Sequence, residues 1–227
     1  MTSRSQKLRN KTTLSVAIIW IGSLWLSISA NTQPLLQGLV AQELFVEPHS
    51  TDSCSLSITE VSYPYTQLSA ALFHPTQKKT LPPMTQTLQI ICSVPVSQMT
   101  MEVVSDTQTS SVTSADPTHF GLGHVNGQGS LGYYQVKLDE AKVGNDAVKL
   151  YHTADENAVG TLQPSLFLQS GGYQGWAKEG SAPASGQQFS VNMTVLPTLS
   201  SLKETHGPLV DGANLNGELV LRFPFSI

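Results

Sequence analysis

Charge is scarce in this chain: Asp, Glu, Lys and Arg together make up 12% of its 227 residues, and aromatic residues only 7%. With a formal charge of −4, it lacks the electrostatic footprint of a nucleic-acid binder. Cysteine occurs only twice, without a C-x-x-C pair or clustered histidines, which argues against a redox motif or a zinc framework. No G-x-S-x-G nucleophile elbow occurs. Nor is there a sustained apolar stripe at helical spacing, or an internal repeat of the kind that builds solenoids. The longest apolar run, residues 14–28, is interrupted by Ser15, Ser23 and Ser27 and falls short of the roughly 20 residues that span a bilayer as a helix.

That run has a recognisable setting. Arg4, Lys7, Arg9 and Lys11 precede it, and the small residues Ser29 and Ala30 follow, the layout of a secretory signal peptide over residues 1–30. Cleavage is expected after Ala30, with Ala41 as a second site. An uncleaved anchor with Trp20 and Trp25 at the membrane interface is the alternative. Removing 30 of 227 residues leaves 197, and leaves eight Lys and Arg against 16 acidic residues, a formal charge of −8. That length suits one large β domain or two small ones. Export would carry Cys54 and Cys92 into an oxidising compartment, where one intramolecular bridge is the only pairing. Closing that loop is worth about 4 kcal/mol on a chain-entropy estimate.

A period of two, the signature of a strand with one buried face, appears repeatedly. It runs through Cys54, Leu56 and Ile58; through Leu88, Ile90, Cys92 and Val94; and through Met99, Met101 and Val103. It returns in Tyr134, Val136 and Leu138, and in Phe189, Val191, Met193 and Val195. Turn-rich stretches at 74–83, 105–118, 170–186 and 206–217 separate these runs, which predicts an all-β sandwich over residues 54–227. The cleanest alternation comes last. In "ELVLRFPFSI", residues 218–227, Leu219, Leu221, Phe223, Phe225 and Ile227 alternate with mostly polar neighbours up to the final residue, although chain ends ordinarily fray. Residues 31–53 form an extension that carries Leu35, Leu36, Leu39, Val40, Leu44, Phe45 and Val46, all in need of cover. Its even positions align Leu36, Gly38 and Val40 on one face and its odd positions Leu35, Leu39 and Ala41 on the other, so its register stays open. Residues 43–47 also suit the start of the first strand.

Few residues invite a chemical role. "FGLGHVNGQGSLGYYQV", residues 120–136, has the glycines of a phosphate loop, but a strand pattern follows where a dinucleotide site needs a helix, so turn glycines are expected. His49, His74, His119, His124, His152 and His206 are scattered without i, i+4 pairing. Asp139 with Glu140, and Asp155 with Glu156, are adjacent and would point to opposite faces of a strand, so neither pair suits acid–base work. Tyr173 and Trp176, in the glycine-rich "GGYQGWAKEG", are the candidate stacking surface for a sugar or receptor, weighed against Trp176 as a packed strand residue. No catalytic residue, metal ligand or cofactor is expected.

An export signal, an apolar N-terminal stretch, two cysteines about forty residues apart and an alternating C-terminal strand together resemble a subunit of a chaperone–usher fimbria. More specifically "ELFVEPHSTDSC", "LQIICSVP", "FGLG" followed by "SLGYYQVKL", the "GW" of Gly175 and Trp176, and "LNGELVLRF" resemble, in that order, a family described as probable β-fimbrial major subunits. The likeness covers most of residues 43–227. It implies an immunoglobulin-like, pilin-type sandwich that lacks its final strand and leaves an apolar groove, with Leu219, Leu221, Phe223, Phe225 and Ile227 along one wall. A periplasmic chaperone would lend a strand there. At an outer-membrane usher the N-terminal extension of another subunit, here Leu36, Gly38 and Val40, would replace it. Two features depart from the pattern: the penultimate residue is Ser226, with the aromatic one place earlier at Phe225, and Pro224 removes a ladder donor, as suits an edge strand. Cleavage after Ala41 would leave no donor segment, as in a subunit that accepts a strand without giving one. The alternatives to a structural subunit are a tip adhesin using Tyr173 and Trp176, and a secreted or periplasmic sandwich enzyme.

Overall fold

The computed structural model describes residues 12–20, 54–58, 68–180 and 182–227, the first of these as backbone only. The proposed donor positions Leu36, Gly38 and Val40 lie outside the described residues. The strands, in chain order, are β1 (Thr12–Trp20), β2 (Cys54–Ile58), β3 (Lys79–Thr80), β4 (Met84–Val96), β5 (Gln98–Asp106), β6 (Phe120–Gly121), β7 (His124–Val125) and β8 (Gly129–Ser130). They continue with β9 (Gly132–Val143), β10 (Asp146–Ala147), β11 (Lys149–Thr153), β12 (Ser165–Phe167), β13 (Tyr173–Ala177), β14 (Gly186–Leu199) and β15 (Glu218–Ser226). Among the described residues there is no α-helix, only two single 3-10 turns. The protein is all-β, and its strand ladders are antiparallel.

Two sheets carry the fold. The 5-stranded sheet runs β1-β15-β5-β13-β11, and the 8-stranded sheet follows β10-β9-β14-β4-β2 with β3, β6 and β12 paired off that path. Alternation builds both. In β14, Phe189, Val191, Met193 and Val195 are buried while Ser190, Asn192 and Thr194 are only partly covered, and β4 buries Leu88, Ile90 and Cys92 against exposed Gln89, Ile91 and Ser93. These side chains join Met99, Met101, Leu221, Phe223 and Trp176 of the other sheet in one core. Burying each large apolar side chain is worth roughly 1.5–3 kcal/mol. Cys54 and Cys92 are register partners across β2 and β4 and form the disulfide.

The turn chemistry follows the sequence in one place and departs from it in another. Asn126, Gly127 and Gln128 form the three-residue loop of the β7–β8 hairpin, with Asn126 and Gly127 at φ of 49° and 82°, the left-handed region that Asn and Gly enter most readily. The glycine-rich stretch 170–186, by contrast, is not all loop, because β13 lies within it. A Cβ on Gly175 would stand 2.4 Å from the Tyr151 ring, so this glycine admits a packed tyrosine on the neighbouring strand and does not mark a turn.

Candidate strand-acceptor edge

β15 forms because Leu219, Leu221, Phe223 and Phe225 all point into the core, with exposures of 0%, 0%, 0% and 4%. Ile227 does not join them. It lies beyond the strand and is 57% exposed, so the alternation expected to reach the last residue ends at Phe225. Opposite the core, Arg222 donates from Nε to Glu102 Oε2 at 2.8 Å, and its Nη2 makes a second contact to the same oxygen. That hydrogen bond, reinforced by the carboxylate charge, raises the guanidinium pKa above its ordinary value. The chain end is held as well: Ser97 donates its backbone N–H to the Ser226 carbonyl at 2.7 Å and its hydroxyl to the same oxygen at 3.1 Å.

The two edges of β15 are unlike. Toward β5 the register pairs Leu221 with Val103, Arg222 with Glu102 and Phe225 with Met99, but it lapses over Phe223 and Pro224. Pro224 has no N–H to give, and its carbonyl instead accepts the Thr100 hydroxyl at 3.2 Å. Toward the other side β15 meets β1, antiparallel, with Leu14 opposite Phe223, Ala17 opposite Leu221, Ile19 opposite Leu219 and one register shift between Ser15 and Ala17. Two expectations need correcting for the full-length chain. The edge beside β15 is not open, because residues 12–20, part of the segment expected to be a signal peptide, lie along it, and β15 has a neighbour on each side although its ladder to β5 lapses at Pro224. β1 is nevertheless the outermost strand of its sheet. Without residues 12–20, β15 would present an unpaired row of backbone groups, and four inward-facing apolar side chains would lose the strand that flanks them.

The remaining candidates are structural. Trp176 is 1% exposed, donates its indole N–H to the Ser190 carbonyl at 3.0 Å and meets Phe189 edge-on at 5.8 Å, so it offers no face to a sugar, and Tyr173 is half-buried. Of the two readings weighed for Trp176, the packed strand residue is the one the structure has, and the candidate stacking surface is not formed. His74 accepts from the Thr76 and Gln77 amides within a turn. His119 stacks on Tyr133 at 3.7 Å, and burial lowers its pKa against the pull of Asp116. His49 lies outside the described residues. Glu140 accepts from Asn192, and Asp155 caps its own turn through the Asn157 amide, so neither acidic pair faces a common reactant. Burial raises the Asp106 pKa above its ordinary value, but this carboxylate accepts from the Gly121 and Gln108 amides and so fixes a turn. Among the described residues no group of His, Cys, Asp or Glu could hold a metal ion, and no helix is long and apolar enough to cross a membrane.

Comparison with protein-family models, with curated proteins and with solved structures finds no match for this chain.

Proposed function

We propose that this chain is a structural, non-enzymatic subunit of a chaperone–usher surface fimbria, exported through the periplasm and polymerised by strand donation. The carrying observation is the edge of β15: opposite β5, the strand beside it comes from residues 12–20, which lie within the expected export signal, while every other described strand is placed elsewhere in the two large sheets or in the β7–β8 hairpin. Loss of that segment leaves a long sheet edge with four apolar side chains along it, a strong aggregation hazard unless another polypeptide supplies a strand. The partners on this proposal are a periplasmic chaperone, an outer-membrane usher and other subunits, and the sandwich is the pilin-type variant of the immunoglobulin fold. The disulfide between Cys54 and Cys92 agrees with an oxidising compartment.

The test is co-purification. Wild-type protein drawn from the periplasm of a producing cell should bring with it a two-domain immunoglobulin-like chaperone, and the double variant Leu221→Asp, Phe223→Asp should lose it. Recovery of the wild type alone, as a monomer that neither aggregates nor exchanges strands, would refute the assignment.

A further inference from the structure

We propose that residues 12–20 are a built-in occupant of the acceptor edge, so that a chain retaining its N-terminal run is sealed against incoming strands. Three observations converge. The pairing of β1 with β15 is extensive, from Thr12 opposite Phe225 to Trp20 opposite Glu218, and so covers nearly the whole of β15. The sequence "TTLSVAIIW" is rich in the Thr, Val, Ile and Trp that favour strands, and the same composition that serves an export signal also serves a sheet edge. Finally, the segment is tethered. The 33 residues from 21 to 53 separate it from β2, a reach on the order of 100 Å when extended, so an outside strand must displace a rival held at an effective concentration of about millimolar or more.

Release is hydrolytic. A leader peptidase adds one water across the Ala30–Asn31 peptide bond and leaves a carboxylate on Ala30 and an amine on Asn31. The freed segment is then no longer tethered, and its advantage over an outside strand disappears. The edge is therefore blocked in the precursor and available in the processed chain. The inference rests on the fimbrial reading only for the identity of the outside strand, since the self-pairing belongs to this chain alone.

The register supplies the test. In the full-length chain, Ile18→Cys with Val220→Cys places two thiols on register partners, and Ile18→Cys with Arg222→Cys places them out of register. After refolding under oxidising conditions, peptide mass mapping should find the 18–220 bridge beside the native 54–92 bridge, at least tenfold more abundant than an 18–222 bridge. In a second arm, a labelled synthetic peptide of sequence TTLSVAIIW with a lysine tail is offered to full-length wild type and to full-length Leu14→Pro, Ile18→Pro, whose β1 cannot complete its ladder. The variant should take up the peptide at least tenfold more readily. If the variant does not fold, the same comparison is made on the wild-type chain before and after cutting at a protease site inserted between residues 30 and 31, with uptake expected to rise tenfold on cutting. Equal 18–220 and 18–222 bridging, or peptide uptake unchanged by substitution or cutting, would overturn the inference. Both arms use the chain without chaperone or usher, so failure of the fimbrial assignment leaves their outcome unaffected, and their failure leaves chaperone co-purification to be judged separately.

Discussion

Phe223 concentrates the energetics of the β15 edge in one side chain. It is fully buried, its backbone stands opposite Leu14 on one side, and on the other it lies where the β5 ladder lapses, so side-chain packing must replace backbone pairing there. Phe223→Ala should destabilise the full-length chain by about 3–5 kcal/mol, while Ile227→Ala, at an exposed position past the strand, should stay within about 0.5 kcal/mol. Urea unfolding of the two variants against wild type separates these outcomes. His119 gives a second local test. Burial against Tyr133, with Lys78 nearby, depresses its pKa below 6.5 although Asp116 pulls the other way. The folded state thus binds the proton less readily than the unfolded chain, and this group's share of stability is complete above pH 6.5 and falls as the pH drops through that value toward the folded pKa. The melting temperature should decline between about pH 7.5 and about 5.5, and decline less in His119→Gln, as a calorimetric pH series would record.

Strands were legible in the sequence where apolar residues alternate with polar ones. β2, β4, β5, β9, β14 and β15 all contain the alternating runs that predict them. β11 and β13 were not, because both faces of that part of the sheet are covered: Tyr151 and Leu150 are both buried, as are Gln174, Gly175, Trp176 and Ala177, so no alternation remains to be seen. The covering segment follows β11. The Glu156 carbonyl accepts from the Gln98 side chain at 2.6 Å, and Leu150 and Gln163 exchange backbone hydrogen bonds of 2.8 and 2.7 Å. Gly175 misleads for the same reason, since its missing side chain is a packing requirement and reads in the sequence as a turn. Gly175→Ala should therefore force apart β11 and β13 where Tyr151 faces Gly175, with a loss of about 1–3 kcal/mol from overpacking. The combined variant Gly175→Ala, Tyr151→Phe should recover little, because the ring atoms Cζ and Cε1 as well as the hydroxyl crowd that position. Thermal melts of the single and double variants decide it.

Taken as a molecule, the chain has its weak point where its longest-range partnership lies. A strand from the first twenty residues pairs with β15, and the described strands between them build the two sheets, stapled by a disulfide that joins residues 38 apart. The fimbrial resemblance implied an unfinished edge beside Leu219, Leu221, Phe223 and Phe225, whereas the alternation itself could not show which segment would lie along it, because strand pairing depends on topology and not on local pattern. The same apolar character that made an export signal the expectation for residues 1–30 lets residues 12–20 pair as a strand beside β15. Completion of the β15 edge by a removable or borrowed segment is the central claim, and amide hydrogen exchange along β15 in the naturally processed protein, recovered under native conditions, tests it most directly. The β15 amides should be protected only while a second polypeptide is bound, and should exchange at least a hundredfold faster once that polypeptide is stripped away. Full protection of β15 in a processed chain with no companion would contradict it.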